Sequence, residues 1–214
     1  MVEPILFGAA YSVYVRAARL ALVEKGVPYR LVEIDIFAEG GPPQGYLERH
    51  PFGKIPAFEH AGFRLYETGA ITRYVEEAFE GPPLMPADVR ARARVNQIIS
   101  LLDNYAYRAF IWELYTERVS APREGKAADE AKIAAALPRV ETCLGALEAL
   151  ADADGPWLAG PAVSLADLHA APMFVYFIMA PEAQALLPRQ PRLDRWWRAM
   201  RERPSMAATR SPLE

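Results

Sequence analysis

The sequence predicts an α/β domain followed by an all-α domain. Residues 1–80 alternate strand-like and helix-like segments, whereas the segments after the proline- and glycine-rich stretch EGPPLMPA have helical periodicity. Domain boundaries fall in such stretches because few contacts cross them. We therefore place the first domain at residues 1–80, a linker at residues 81–87 and the all-α domain at residues 88–214.

The first domain begins with a predicted βαβ unit. PILFG is a short apolar run typical of a strand, and YRLVEIDIF alternates apolar and polar residues over residues 29–37. Between them, residues 12–26 carry apolar residues at helical spacing, with Ser12 as N-cap and Gly26 as the stop. Two further short strands are predicted at PAFE and FRLY, followed by a helix from Thr68.

The all-α domain is predicted to contain two long helices and two shorter ones. The first long helix spans NQIISLLDNYAYRAFIWELYTER, and the second surrounds Cys143. The shorter helices cover LADLHAAPMFVYFI and LDRWWRAMRER. The face of the first long helix that we expect to point inward consists of Ile98, Leu101, Leu102, Tyr105, Ala109 and Trp112.

Composition and charge exclude several classes of function. The chain has 214 residues, 52% of them hydrophobic and 24% charged, and its net charge of −3 offers no basic surface for nucleic acid. It contains no run of about 18 apolar residues and no signal-peptide pattern, so we expect a cytoplasmic protein without a membrane segment. The single cysteine, Cys143, excludes an internal disulfide and a multi-cysteine metal site, and we expect no bound metal. Its position on an apolar helical stripe predicts a small buried residue.

The polar pair of Ser164 and Asp167 is explained by the capping of a helix rather than by catalysis. In VSLAD, Ser164 at the N-cap and Asp167 three residues later have the spacing of a capping box, and Val163 and Leu168 occupy the two positions of a hydrophobic staple. The capping box accounts for both polar side chains, so we assign no catalytic role to Asp167.

The stretch HPFGKIPAF contains an Ile55-Pro56 bond just before a predicted strand. A proline in a tight turn is where a cis peptide is tolerated. A cis bond would turn the main-chain N–H and C=O of Ile55 out of the sheet, towards the backbone of an extended peptide ligand. The alternative is a trans proline that only opens the strand.

The stretch YETGAI follows a strand and opens a helix. Thr68 supplies a hydroxyl and its neighbours supply unpaired N–H groups, which together attract a carboxylate. Glu67 adds an acceptor suited to an ammonium group, so the pair fits the head group of an α-amino acid. The alternative is that Thr68 is only an N-cap.

Four stretches together resemble the cytosolic glutathione S-transferases, in particular serine-type members of the phi-like or bacterial kind. They are YSVYVRAARLALVEKG, HPFGKIPAF, LYETGAITRY and LAGPAVSLADLHAAP, and the similarity extends over essentially the whole chain. The resemblance implies a thioredoxin-like N-terminal domain that binds glutathione and a C-terminal α-helical bundle that contributes the hydrophobic substrate pocket. The chain departs from the family at His50, where asparagine is common, and AEGGPPQG lacks the His-Lys pair with which some members hold the glycyl carboxylate.

The resemblance also implies roles for individual residues of the first domain. Ile55, before Pro56, would pair with the cysteinyl backbone of glutathione. Glu67 and Thr68 would hold its γ-glutamyl group, and Lys54 would lie near its glycyl carboxylate.

The stretch AAYSVYVR contains three candidates for the hydroxyl that activates the glutathione thiol, on Tyr11, Ser12 and Tyr14. A thiol with a pKa near 8.5 is mostly protonated at neutral pH, and a hydroxyl that donates to the sulfur at a helix N-terminus favours the thiolate. Serine-type members resemble this chain in the spacing between Ser12 and Glu24 of EKG, so Ser12 is the predicted catalytic residue and Tyr11 the runner-up. The alternative for Ser12 is a helix cap without a catalytic role. Tyr14, inside the helix, is predicted to line the substrate pocket.

The first long helix of the second domain supplies the other candidate residues. Tyr107, Phe110 and Tyr115 lie off its predicted inward stripe and are therefore expected in the substrate pocket. In related proteins an acidic residue on this helix reaches the glutathione of the other subunit, so Asp103 is a candidate glutathione-binding residue, with a solvated aspartate as the alternative. The resemblance implies a homodimer.

The predicted function is that of a glutathione transferase. Its co-substrate glutathione would react as the thiolate with a hydrophobic electrophile, and reduction of organic hydroperoxides would use the same thiolate. The alternative is a non-catalytic carrier or interaction protein with the same fold. Joint retention of Ser12, Ile55-Pro56 and Glu67-Thr68 favours the enzyme.

Overall fold

The computed structural model describes residues 2–214, which form two compact units. The first contains residues 2–84 together with Arg203–Glu214, and the second is Met85–Glu202. The division differs from the predicted domains in two respects, of which the first is that the boundary falls after Leu84, inside the predicted linker 81–87. The second is that residues 203–214 belong to the first unit, although the sequence had placed them in the helical domain 88–214.

The first unit is built on a mixed four-stranded sheet with the order β2-β1-β3-β4. Strand β1 pairs in parallel with β2 and antiparallel with β3, and β3 pairs antiparallel with β4. Helix α1 packs against α2. The elements are β1 Ile5–Phe7, α1 Val13–Glu24, β2 Arg30–Val32, β3 Ala57–His60, β4 Phe63–Tyr66 and α2 Thr68–Ala78.

Strand β2 is shorter than the predicted strand at residues 29–37. The parallel register ends where Phe7 faces Val32, so the alternating residues beyond Val32 have no partner strand. The Glu33 carboxylate instead accepts a hydrogen bond from the Ala10 N–H at 3.3 Å. The alternating residues therefore continue beyond the end of β2, where Glu33 binds the loop that precedes α1.

Helix α1 carries a buried arginine that binds residues far away in sequence. Arg16 is 1% exposed, and its guanidinium donates to the Met206 carbonyl at 2.9 Å and to the Thr209 hydroxyl at 3.3 Å. It also pairs with the Glu214 carboxylate. A buried guanidinium needs such partners, because an unpaired buried charge is costly. These contacts fix residues 203–214 on α1.

The end of α1 is held in the same way by Glu24. Its carboxylate accepts hydrogen bonds from the Arg203 guanidinium at 2.8 and 2.6 Å and from the Ser205 hydroxyl at 2.5 Å. Arg203 directly precedes the short C-terminal helix α9, Pro204–Ala208. Burial pushes the pKa of Glu24 upward, but the bonds from Arg203 and Ser205 outweigh this effect and hold the pKa below its usual 4.5.

We expect Arg203→Met to lower the free energy of unfolding by about 1–3 kcal/mol at neutral pH, because it leaves the Glu24 carboxylate without its strongest donor. Since the pKa of Glu24 is lowered in the folded state, the contribution is present at neutral pH and lost as the pH falls below 4.5. Urea unfolding at neutral and acidic pH measures both effects. The matched control is Arg201→Met, whose partner Glu202 is exposed, with an expected change within about 0.5 kcal/mol. Equal losses for the two variants would contradict the prediction.

All regular secondary-structure elements of the second unit are helices. Its central helix, α6, has every residue buried, which explains why its sequence is apolar on all sides. The predicted capping box of Ser164 and Asp167 is confirmed at its N-terminus. The helices are α3 Val89–Leu101, α4 Ala121–Arg123, α5 Glu130–Leu150, α6 Leu165–Phe177, α7 Pro181–Leu186 and α8 Pro191–Arg201.

Between α3 and α4 the chain winds as a π-helix rather than an α-helix. The π-helical stretch comprises Leu102–Ala106 and Arg108–Ser120. Its hydrogen bonds span five residues: the Tyr107 N–H donates to the Leu102 carbonyl. Such a helix needs more residues for each turn, so a period of 3.6 no longer identifies one face.

The predicted inward stripe of this helix is consequently wrong at two positions. Tyr105 is 67% exposed and Trp112 is 49% exposed. The buried residues of this stretch fall at other positions instead. They are Ala106, Phe110, Leu114 and Tyr115, with Ala109 and Ile111 beside them.

Within residues 2–214, no single helix combines the length and apolar character needed to cross a membrane. Helix α6 and the chain at Pro181–Arg189 meet that criterion only as a pair, with a bend of 117° between them.

Candidate active site

Ser12 lies between β1 and α1 as the N-cap of the helix. Its Oγ accepts a hydrogen bond from the Val15 N–H at 3.4 Å. This bond uses a lone pair of the hydroxyl and leaves its O–H as a donor. Within residues 2–214 that O–H donates to no acceptor. Capping and donation to a bound thiolate are therefore compatible, and the cap does not compete with a catalytic role.

Tyr11 uses its phenol differently. The O–H donates to the Asp35 carboxylate at 3.4 Å. Burial, followed by the charges of Asp35 and Glu33, raises the pKa of Tyr11 to about 12. A phenol already directed at a carboxylate is a poor donor to a second anion, so this arrangement favours Ser12 over Tyr11. Tyr14 lies on the first turn of α1 and is half-buried.

Of the two alternatives for the Ile55-Pro56 bond, the structure has the cis form. Both residues are buried and immediately precede β3. The Tyr46 hydroxyl donates to the Lys54 carbonyl at 2.7 Å and so anchors the loop. The Lys54 ammonium is exposed and makes no ion pair within the described part of the chain.

Gly8 allows this loop to approach the start of α1. It has a φ of +155°, and a Cβ atom at this position would lie 2.4 Å from the Val15 side chain and 3.3 Å from the Ile55 Cβ. Only a residue without a side chain fits there. Ile55 and the N-terminus of α1 are thus in close proximity because residue 8 is glycine.

Glu67 and Thr68 join β4 to α2, with one change from the prediction. Thr68 is the first residue of the helix, whereas Glu67 occupies the N-cap position. Glu67 has a φ of +71°, which costs a residue with a side chain about 1–3 kcal/mol and is concentrated at functional sites. Its exposed carboxylate makes no ion pair within residues 2–214. An unpaired carboxylate thus stands beside the free N–H groups of a helix N-terminus.

His50 is a residue of this site whose role the sequence did not reveal. It is 2% exposed, and its ring lies 4.9 Å from the ring of Tyr66, which precedes Glu67. Its Nδ1 has no hydrogen-bond partner. The only signal in the sequence was a histidine in place of the family's asparagine.

The helical unit places two predicted pocket residues in its core instead. Phe110 is fully buried and stacks on Phe177 with ring centroids 4.2 Å apart. Tyr115 is 7% exposed and packs against Tyr176 at 4.9 Å. The pocket prediction for Phe110 and Tyr115 is therefore corrected, because both are buried against aromatic residues of α6.

The other two predicted residues of this helix are at least partly accessible. Tyr107 is half-buried, with its ring edge-to-face to Trp112 at 6.4 Å, and its pocket role stays a prediction. Asp103 is paired within its own unit, because its carboxylate lies 2.7 Å from Nε2 of the buried His169. Asp103 is thus exposed to solvent and at the same time paired with His169.

The helical unit also contains a groove of about 860 Å³ along the π-helical stretch and α5. Cys143 lies in its wall as a free, buried cysteine, which confirms the prediction of a small buried residue. Burial, followed by the charge of Glu113, raises the pKa of its thiol. This environment does not favour a reactive thiolate.

The fold and the site together define a class of proteins. A mixed four-stranded sheet of the thioredoxin type carries a cis-proline loop and a serine at the start of its first helix, and an all-helical unit follows in the chain. Residues 6–83 match the family described as "Glutathione S-transferase, N-terminal domain", and residues 97–204 match "Glutathione S-transferase, C-terminal domain". The chain belongs to the glutathione S-transferase family.

Individual relatives agree over almost the whole length. Glutathione S-transferase F10 of Arabidopsis thaliana is 31% identical over 185 residues, which are 85% of each chain. The crystal structure of glutathione transferase F7 from Populus trichocarpa has a TM-score of 0.83 and 28% identity, covering 96% of this chain and 97% of that one. Glutathione S-transferase I from maize, in complex with an atrazine glutathione conjugate, has a TM-score of 0.81 and 26% identity, covering 97% and 96%.

Proposed function

We propose that the protein is a glutathione transferase that uses Ser12 to stabilise the thiolate of glutathione for attack on hydrophobic electrophiles. The observation that carries the proposal is the Ser12 hydroxyl, which caps α1 with a lone pair and keeps its O–H available at the helix N-terminus. Membership of the family supports the enzyme and does not favour the non-catalytic carrier.

The chemical step follows from the state of the thiol. A free thiol has a pKa near 8.5, so an enzyme must favour loss of its proton to solvent. A hydrogen bond from Ser12 and the field of the α1 N-terminus both stabilise the negative sulfur. The sulfur lone pair then forms a bond to the electrophilic carbon, and the leaving group departs with its bonding electrons. The products are a thioether and the released anion.

The binding of glutathione is assigned to the loop and turn around the cis-proline. We infer that the Ile55 main chain pairs with the cysteinyl backbone and that Glu67 and Thr68 hold the γ-glutamyl group. The positive φ of Glu67 and the lack of an ion partner for its carboxylate support this assignment. The unpaired Lys54 is assigned to the glycyl carboxylate on the same ground.

The remaining assignments rest on the family resemblance. Tyr14 and Tyr107, both half-buried, are proposed to contact the electrophile. The protein is further proposed to be a cytoplasmic homodimer, in which Asp103 would need to contact glutathione without giving up His169.

A pH titration of the thiolate absorbance of bound glutathione tests the proposal. We expect an apparent pKa about 1–2 units below that of free glutathione, because a hydrogen bond and a helix N-terminus both favour the anion. Turnover of a chloronitrobenzene should accompany the shift. Tyr11→Phe is the matched control and should titrate like the wild type, since the Tyr11 phenol donates to Asp35. Tight binding with an unshifted pKa and no turnover would instead identify a glutathione-holding scaffold.

A further inference from the structure

His50 is buried, and its imidazole makes no hydrogen bond to another residue of the described chain. It is 2% exposed, and its Nδ1 has no hydrogen-bond partner. A buried polar group without a partner costs about 1–3 kcal/mol, and such groups are rare enough that each one requires an explanation. The main chain of the residue is used normally, because its N–H donates to the Tyr46 carbonyl and its carbonyl accepts from Gly53. The cost therefore belongs to the imidazole alone.

The surroundings of the ring connect it to the proposed glutathione site. The ring lies against Tyr66 at 4.9 Å and Phe52 at 6.2 Å. Two charges act on it: Glu67, which follows Tyr66, and Lys54, which follows Phe52 by two residues. Both charges lack an ion partner within residues 2–214. A zwitterionic peptide would supply an ammonium to Glu67 and a carboxylate to Lys54.

Among the described residues, the charges that act on the imidazole are those of Glu67 and Lys54. Arg49, the adjacent residue, turns its guanidinium to the Glu59 carboxylate at 3.8 Å and over the ring of Phe7. The phenol of Tyr66 belongs to the ring that contacts the imidazole, whereas the Tyr46 hydroxyl is bound to the Lys54 carbonyl. The charge of His50 is thus coupled mainly to Glu67 and Lys54.

We propose that His50 is a positioning residue that acts through Glu67 and makes the capture of the γ-glutamyl ammonium depend on pH. This inference rests on the proposed function of the site. The neutral imidazole leaves the Glu67 carboxylate to the ammonium of the ligand. The imidazolium competes with that ammonium for the same carboxylate and weakens binding.

The direction of the pH effect follows from the environment of the ring. Burial lowers the pKa of His50; Glu67 and a hydrogen bond between the ring and the main chain of His50 itself oppose this effect, and Lys54 adds to it. The imidazole is therefore neutral at neutral pH and takes up a proton only below its usual 6.5. Since the ligand adds a positive charge beside Glu67, it binds better to the neutral form. Affinity should fall as the pH decreases, and binding at acidic pH should release a proton.

The experiment measures the binding of S-methylglutathione, which has no thiol proton, by calorimetry between about pH 5 and pH 7.5. We expect the affinity of the wild type to fall more than about 2-fold across this range and that of His50→Asn to change less than about 2-fold. The matched control is His60→Asn in the same unit, because the Nδ1 of His60 already lies 2.8 Å from the Tyr74 hydroxyl. The control should retain the fall seen in the wild type. An equal fall in His50→Asn would overturn the proposal.

A second measurement needs no variant at His50. Calorimetry of the wild type at acidic pH in two buffers of different ionisation enthalpy counts the protons released on binding, and a count of zero would overturn the proposal. Wild-type protein that fails to bind S-methylglutathione and glutathione at any pH would contradict the proposed function. Binding with no pH dependence would contradict only the role of His50.

Discussion

Replacing Ser12 with alanine is expected to lower kcat/KM about 100-fold, because it removes a donor aimed at the reacting anion. The apparent pKa of bound glutathione should return towards the value of about 8.5 for a free thiol. The KM for glutathione should change little, since the contacts assigned to Ile55, Glu67 and Lys54 remain. The variant is therefore expected to show both a lower kcat and a higher pKa of the bound thiol.

The design must separate the loss of the hydroxyl donor from the loss of the helix cap. An N-cap serine replaced by alanine costs about 0.5–2 kcal/mol of stability, whereas glycine costs only a few tenths. Ser12→Gly should therefore unfold nearly like the wild type and still lose activity like Ser12→Ala. Ser12→Thr keeps both the cap and the donor and should retain most of the activity.

These variants also decide between the two hydroxyls. Stopped-flow titration of the thiolate and steady-state kinetics on each variant provide the measurements. If Ser12→Gly titrated like the wild type while Tyr11→Phe lost the pKa shift, the catalytic assignment would move to Tyr11. The hydrogen bond from Tyr11 to Asp35 is the reason why we expect the opposite result.

The sequence predicted best those elements that short-range rules determine. Helix α1 begins after Ser12 and ends before Gly26, whose φ of +70° explains why glycine ends it. Strands β3 and β4 lie where PAFE and FRLY predicted them, because a turn separates two short apolar runs. For the Ile55-Pro56 bond, local chemistry left the cis and trans forms open, and the structure has the cis form.

The errors arose where the conformation depends on distant parts of the chain. Phe110 is buried between Phe174 and Phe177 of α6, more than 60 positions away in sequence, and the periodicity of its own helix does not reveal that partner. Residues 203–214 join the first unit because Arg16 and Glu24 bind them across more than 170 positions of sequence. The unpaired Nδ1 of His50 likewise depends on which groups surround it in space.

Asp167 is expected to show the largest loss of stability of any single polar residue of the helical unit. Its carboxylate is fully buried and accepts four hydrogen bonds at 2.7–2.9 Å, from the Leu158 N–H, the Ser164 N–H, the Ser164 hydroxyl and the Trp196 indole. These donors come from the loop before α6 and from α8, so one carboxylate fixes both to α6. Asp167→Ala leaves four buried donors without an acceptor and should cost about 3–5 kcal/mol.

Guanidinium unfolding followed by tryptophan fluorescence measures this loss in the right part of the chain, because all four tryptophans lie within Met85–Glu202. Asp167→Asn is nearly isosteric, but its amide group would face donors rather than acceptors, so it should recover little of the loss. Ser164→Ala removes only the hydroxyl, which is one of these four donors and also caps α6, with an expected cost of about 1 kcal/mol. The matched control is Asp129→Ala, which removes the exposed cap of α5 and should cost much less than Asp167→Ala. Equal losses at Asp167 and Asp129 would mean that Asp167 acts only as a helix cap, and that its bonds to Leu158 and Trp196 add nothing to the stability of the unit.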